Sequence, residues 1–290
     1  MRWHPWASVL LVASAKTRKP REVKPRPLAT LPALPHCRDV EVIHVPKTGG
    51  TALIRSLARA DVDVCYSETW IADGGCGALA AGAVCCRRRG GWRTAPSPCA
   101  GRGAGVGVHE RAFGATAGRA ATLYVAVVRR PKDWLRSALA ETCATAARGD
   151  AACAGADAAA FRKFYDAPPQ YYYRWPNLQA KLVGEVFQAR NWMLAALERR
   201  GVVLAALGAA VGAPLADARA HARNASGLPW AATFDGAYAS TFRDLYHLDE
   251  ALYAHVARAG GVLSKLDGRD WRDRLAGVLG PSRGPGYRAA

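Results

Sequence analysis

Residues 123 to 128 read Leu-Tyr-Val-Ala-Val-Val, six apolar positions in a row, closed by Arg129-Arg130-Pro131. A run this short and without alternation predicts a parallel strand covered on both faces. A helix is predicted behind it, with Pro131 in the first turn, where its missing N–H is no loss, and Trp134, Leu135, Ala138 and Leu139 on the buried stripe. The same arrangement is predicted earlier: a strand over Val40 to Val45, the tight segment Pro46-Lys47-Thr48-Gly49-Gly50, then a helix from Thr51 to about Ala60. Downstream, helices are predicted over Asn177 to Gly184, over Arg199 to Val211, and over Tyr238 to Ala259 through Phe242, Leu245, Leu248, Leu252 and Val256; a strand is predicted over Trp192 to Leu197. Strands alternating with helices imply right-handed crossovers and an α/β fold, a central mostly parallel sheet flanked by helices.

Residues 65–107 break this pattern. They are rich in Gly, Cys and Arg without a clean period, and read as a long insertion or loop region with one short helix near Leu79. The chain has 290 residues and is half hydrophobic, which is enough for one domain over 37–290 behind an N-terminal extension over 1–36. In that extension the apolar run Ala7 to Ala15 is too short to span a bilayer and reads as a targeting segment or the remnant of a signal anchor, a membrane tether. Lys16 to Arg26, basic and interrupted by Pro20 and Pro25, reads as a semi-extended linker.

The formal net charge of +17 suits an anionic partner: a phosphorylated nucleotide, an acidic glycan or nucleic acid. No finger spacing and no basic region running into heptads is present, so no nucleic-acid partner is expected. The eight cysteines form an even set, five of them between Cys65 and Cys99, and predict at least two disulfides in an oxidising compartment, with Cys143 to Cys153 the pair proposed across a short loop. No CxxC pair occurs and the adjacent Cys85 and Cys86 are poor joint ligands, so no metal is expected. Asn224-Ala225-Ser226 is a glycosylation sequon, in keeping with a secretory route.

The segment with the most chemistry is Val45-Pro46-Lys47-Thr48-Gly49-Gly50-Thr51. A glycine pair between a buried strand and a helix start lets backbone N–H groups approach an anion unobstructed. A bare Gly-Gly would read as a plain turn. Lys47 adds a mobile charge, and Thr48 and Thr51 add hydroxyls at the helix N-terminus. It is not a Walker A loop, because the lysine precedes the glycines. Arg129 leaves the carboxyl end of its strand and Ser137 sits about two turns into the next helix, a spacing that lets both reach one phosphate.

These residues resemble those of the PAPS-dependent carbohydrate sulfotransferases, the Golgi membrane-type enzymes that act on heparan, chondroitin and related glycans with 3'-phosphoadenosine 5'-phosphosulfate. His44 to Thr51 is similar throughout to that family's 5'-phosphosulfate loop, His-hydrophobic-Pro-Lys-Thr-Gly-Gly-Thr. Val127-Val128-Arg129-Arg130-Pro131 with Ser137 resembles its 3'-phosphate site, although Arg130 stands where Asp is usual. Val106-Gly107-Val108-His109-Glu110 resembles the segment that carries the general base, which makes His109 the candidate base and Glu110 its rival. The likeness runs more loosely through Trp175 to Leu182 and on to Tyr253. It implies a P-loop-like sulfotransferase fold, PAPS as co-substrate, Lys47 as the group that stabilises the leaving nucleotide, no metal, a glycan acceptor such as an acidic polysaccharide or glycoprotein glycan, and the Golgi lumen. Tyr171 to Trp175 form an aromatic cluster suited either to stacking on a sugar ring or to the core. A small-metabolite kinase and a non-catalytic glycan- or nucleotide-binding protein are the competing classes.

Overall fold

The computed structural model describes residues 40–66, 84–88, 91–95, 105–109, 122–146, 176–218, 234–267 and 269–279. The strands are β1 (Val40–Ile43), β2 (Asp63–Tyr66), β3 (Val84–Arg88), β4 (Gly91–Ala95), β5 (Gly105–His109), β6 (Leu123–Val128), β7 (Asn191–Ala196) and β8 (Val262–Leu266). The α-helices are α1 (Gly50–Arg59), α2 (Pro131–Ala146), α3 (Leu178–Val183), α4 (Arg200–Val211), α5 (Phe234–Ala237), α6 (His247–Arg258) and α7 (Arg269–Leu279). All eight strands join one sheet in the order β4-β3-β2-β5-β1-β6-β7-β8. The five from β2 to β7 in that order run parallel, β3 and β4 extend one edge antiparallel, and β8 pairs antiparallel with β7 at the other. The α/β class and the mostly parallel sheet are thus as the sequence predicts.

Helices cover both faces, and the strand period of two decides which residue meets which layer. On β6, Leu123, Val125 and Val127 pack with Leu53, Ile54 and Leu57 of α1, Val203 and Leu207 of α4 and Trp271 and Leu275 of α7. The alternate residues Tyr124, Ala126 and Val128 pack with Trp134, Leu135, Ala138 and Leu139 of α2, with Leu178 and Leu182 of α3 and with Val256 of α6. Every residue of β1, β6 and β7 is buried, Glu41 and Asn191 included, and the rest of these segments is apolar, as fits strands covered on both faces.

Two expectations are corrected. Residues 65–107 are not simply an insertion, since they contribute the end of β2, all of β3 and β4 and the start of β5 to the sheet. Their Cys, Arg and Gly content hides the strands because pairing in a sheet is made by the backbone, and edge strands need no continuous apolar run. Leu79 lies outside the described residues. The single helix expected over Tyr238 to Ala259 is broken: a π-helical turn, Tyr238–Phe242, and a further turn precede α6. Phe242 and Val256 are buried as expected, but Leu245 and Leu248 are 45% and 48% exposed.

Cys65 on β2 is disulfide-bonded, in line with the expected bridging of its region. Cys153 lies outside the described residues. No described helix is long and apolar enough to cross a membrane; residues 1–39, with the run Ala7 to Ala15, are not among the described ones.

Candidate functional site

From β1 the chain passes through α1 toward β2 on one side of the sheet, and from β6 through α2 and α3 toward β7 on the other. Since β1 and β6 are neighbours, the connections diverge between their carboxyl ends, the switch point where open α/β sheets leave a crevice for ligands. Both anion motifs read from the sequence are at that point. Pro46 to Gly49 leave β1, and Arg129 and Arg130 leave β6.

The loop after β1 is held by specific contacts. Lys47 has φ 65°, left-handed backbone that a side-chain-bearing residue adopts at a cost of about 1 kcal/mol. It is held there from both sides: the Arg129 guanidinium donates from Nη1 to the Lys47 carbonyl at 3.3 Å, and the buried Trp134 indole donates to the Pro46 carbonyl at 2.7 Å. Gly49 caps α1 at φ 86°, and a Cβ there would lie 2.9 Å from Leu197 Cδ1; a Cβ on Gly50 would run into the His44 imidazole. Gly49 is favoured by its left-handed backbone, and a side chain at Gly50 would have to displace the His44 imidazole.

The start of α1 carries no side-chain cap and no acidic residue in its first turn, so no carboxylate offsets its positive dipole end there; the Ala52 and Leu53 N–H groups both donate to the Gly49 carbonyl, and those of Gly50 and Thr51 lead the helix. Thr51, exposed, stands at this opening. Thr48 does not: it is buried, and its hydroxyl donates to the Val45 carbonyl at 2.7 Å, bracing the loop from inside.

Arg129 is half-buried. Burial pushes its pKa down from the ordinary arginine value, while the charges of Asp133 and Glu198 oppose that shift, so the guanidinium remains a cation at any relevant pH. Its backbone N–H donates to Gln179 Oε1 at 2.8 Å, and its carbonyl accepts from Gln179 Nε2 at 2.9 Å. Arg130 is exposed beside it, its guanidinium 5.9 Å from the centre of the Tyr253 ring; the Tyr253 hydroxyl donates to Glu198 Oε1 at 3.0 Å. The position where the resembled family has Asp is thus occupied by a cation seated on an aromatic ring. Ser137 is half-buried on α2, and the described hydrogen bonds of Arg129 go to Gln179 and Lys47 rather than to Ser137.

His109 is the last residue of β5 and is paired in register with Ile43, one residue before His44, so the backbone brings it to the same sheet edge as the loop. Glu110, the Tyr171 to Trp175 cluster and Asn224-Ala225-Ser226 lie outside the described residues. Among the described residues no group of three or more His, Cys, Asp or Glu is placed to hold a metal ion.

No family model, curated protein or solved structure matches this chain. The candidate site therefore rests on its own geometry.

Three residues behind Arg129 form a connected support that the sequence reading assigned no role. Asn177, at the N-cap of α3 with φ 61°, accepts from the Leu248 and Asp249 backbone N–H groups at 2.9 and 3.2 Å. Asp249 reciprocates by accepting from the Ala180 N–H at 2.7 Å, so α3 and α6 cap one another. Gln179 reaches from α3 to Arg129. Only the short string Asn177-Leu178-Gln179 ahead of an apolar stretch hinted at this, since polar residues bound for the interior look like surface residues in a sequence.

Asp249 is fully buried, and one of its oxygens, Oδ2, has no hydrogen-bond partner. Burial pushes its pKa up from 3.8 to about 6, against the lowering effect of the Ala180 and Gln179 hydrogen bonds and the charge of Lys181. The folded protein then holds this proton longer than the unfolded chain does. Its effect on stability is most favourable below about pH 4, declines as pH rises to about 6, and is constant above, a total on the order of 3 kcal/mol. Urea unfolding of wild type and Asp249→Asn across this range is expected to show a stability difference that shifts in the mutant's favour between about pH 4 and 6. A difference independent of pH would show that Asp249 titrates normally.

Proposed function

We propose that this protein is a PAPS-dependent sulfotransferase that transfers a sulfuryl group from 3'-phosphoadenosine 5'-phosphosulfate to a hydroxyl of a glycan. The observation that carries the reading is the hydrogen bond from Arg129 to the Lys47 carbonyl, which joins two anion motifs lying 82 positions apart in the chain at the carboxyl edge of neighbouring strands. A nucleotide with phosphate groups at both its 5' and 3' positions needs two separated cationic sites on one crevice, and Lys47 to Thr51 with Arg129 and Ser137 supply them. The P-loop-like sulfotransferase fold follows from the same reading: a strand, an anion loop and a helix at the switch point of a parallel sheet.

In the reaction, the acceptor oxygen attacks sulfur in line with the bond to the bridging phosphate oxygen. A new S–O bond forms as that bond breaks, and adenosine 3',5'-bisphosphate departs with the electron pair. Lys47 and the first N–H groups of α1 stabilise the negative charge on the leaving oxygen, and His109 accepts the proton of the acceptor hydroxyl. This charge stabilisation by lysine and helix terminus makes no call on a metal. The chain's charge of +17 favours an acidic polysaccharide or glycoprotein glycan as acceptor, and the Cys65 disulfide supports an oxidising compartment, which for this chemistry is the Golgi lumen, with the N-terminal segment as membrane tether.

The test is incubation with donor carrying radiolabelled sulfate and a panel of desulfated glycans. Label is expected in at least one glycan, and mapping the product identifies the sugar and hydroxyl. Binding of the nucleotide without transfer to any acceptor would support a non-catalytic binding protein instead. Transfer of phosphate from ATP to a small metabolite, without sulfate transfer, would support a kinase.

A further inference from the structure

We infer that Gln179 is a positioning residue for the 3'-phosphate, acting through the main chain of Arg129; this rests on the function proposed above. The ladder between β6 and β7 ends at the pair Val128 and Ala196, and β7 then turns into the 3-10 segment Leu197–Arg199. Arg129, the next residue on the β6 side, is where that ladder stops. Gln179 takes over. Its carboxamide carries a donor and an acceptor in the same plane, and it closes on the N–H and carbonyl of this single residue at 2.8 and 2.9 Å, like one more rung of the sheet.

Gln179 is 1% exposed, so losing either contact would leave one of its own buried polar atoms unsatisfied. Gln179 is in turn fixed by the mutual caps of α3 and α6 through Asn177 and Asp249. The chain of support runs from α6 through α3 to the Arg129 backbone, and from the Arg129 guanidinium to the Lys47 carbonyl. A cation held this way meets its anion without first paying to be ordered, and a small shift of its backbone is enough to spoil a paired hydrogen-bond geometry. Loss of Gln179 therefore acts on the group that recognises the 3'-phosphate, while the Lys47 to Thr51 loop retains its own supports in Trp134 and Thr48.

The experiment compares calorimetric affinities for adenosine 3',5'-bisphosphate and adenosine 5'-monophosphate in wild type, Gln179→Leu, Gln179→Glu, Arg129→Ala and the Arg129→Ala/Gln179→Leu double variant. Gln179→Leu is expected to lower the preference for the 3'-phosphorylated nucleotide about tenfold, with 5'-monophosphate affinity within about threefold of wild type. In the Arg129→Ala background the same substitution is expected to change that preference little, because its effect passes through Arg129. Gln179→Glu keeps the shape and the acceptor but turns an oxygen toward the Arg129 carbonyl, and should reduce the preference as well; it decides the matter if Gln179→Leu does not fold. An unchanged preference, or equal losses for both nucleotides, would overturn the positioning role and leave the sulfotransferase reading standing. A wild-type protein with no preference for the 3'-phosphate would overturn both.

Discussion

Arg129→Ala is expected to weaken binding of adenosine 3',5'-bisphosphate by on the order of 2–5 kcal/mol, the typical cost of removing one partner of a desolvated charged contact. The guanidinium is half-buried, so water screens it poorly, and its charge is sustained by Asp133 and Glu198. The same substitution removes the hydrogen bond to the Lys47 carbonyl, which helps hold a left-handed residue in the 5' loop. Binding of adenosine 5'-phosphosulfate, which has no 3'-phosphate, should therefore also weaken, but only by about 1 kcal/mol, the ordinary worth of one such bond. Titration calorimetry with both nucleotides separates the two contributions. Equal losses would remove Arg129 from the 3'-phosphate and reduce it to a brace for the loop.

The second large effect is expected at His109. His109→Ala should lower turnover by roughly 10²–10⁴-fold, the usual contribution of a positioned general base, while leaving affinity for adenosine 3',5'-bisphosphate close to wild type. Donor binding is assigned to residues after β1 and β6, whereas His109 ends β5, whose backbone pairs with the far side of β1 from β6. Chemistry and donor binding should thus separate. The wild-type rate should fall on acidification through the range where histidines ordinarily titrate, about pH 6.5, and that limb should be missing in the variant. Near-normal turnover in His109→Ala together with loss of activity in Glu110→Gln would assign the base to the neighbouring carboxylate.

Much of this architecture is determined by the sequence alone, for reasons visible in particular residues. Leu123 to Val128 can be buried on both faces only in a covered strand, Pro131 marks the start of α2, and Gly49 and Gly50 mark a turn that side chains would obstruct, so β6, α2 and the loop before α1 were legible. The nearness of Lys47 and Arg129 was legible for a related reason: both directly follow strands, and parallel sheets bring strand ends to one edge. What the sequence left open was decided by pairing across long separations. Val84 to Arg88 becomes a strand because β2 and β4 offer it backbone partners, and nothing in its own composition required that. The helix pattern from Tyr238 to Ala259 is interrupted, and where the helix restarts its Leu248 and Asp249 N–H groups are capped by Asn177 from outside that segment. Gln179 reaches Arg129 only because the packed layers put the Arg129 carbonyl within its reach, 50 positions away in the chain. A polar side chain seeks its hydrogen bond wherever tertiary structure puts a partner, and its identity in the sequence does not say where that is.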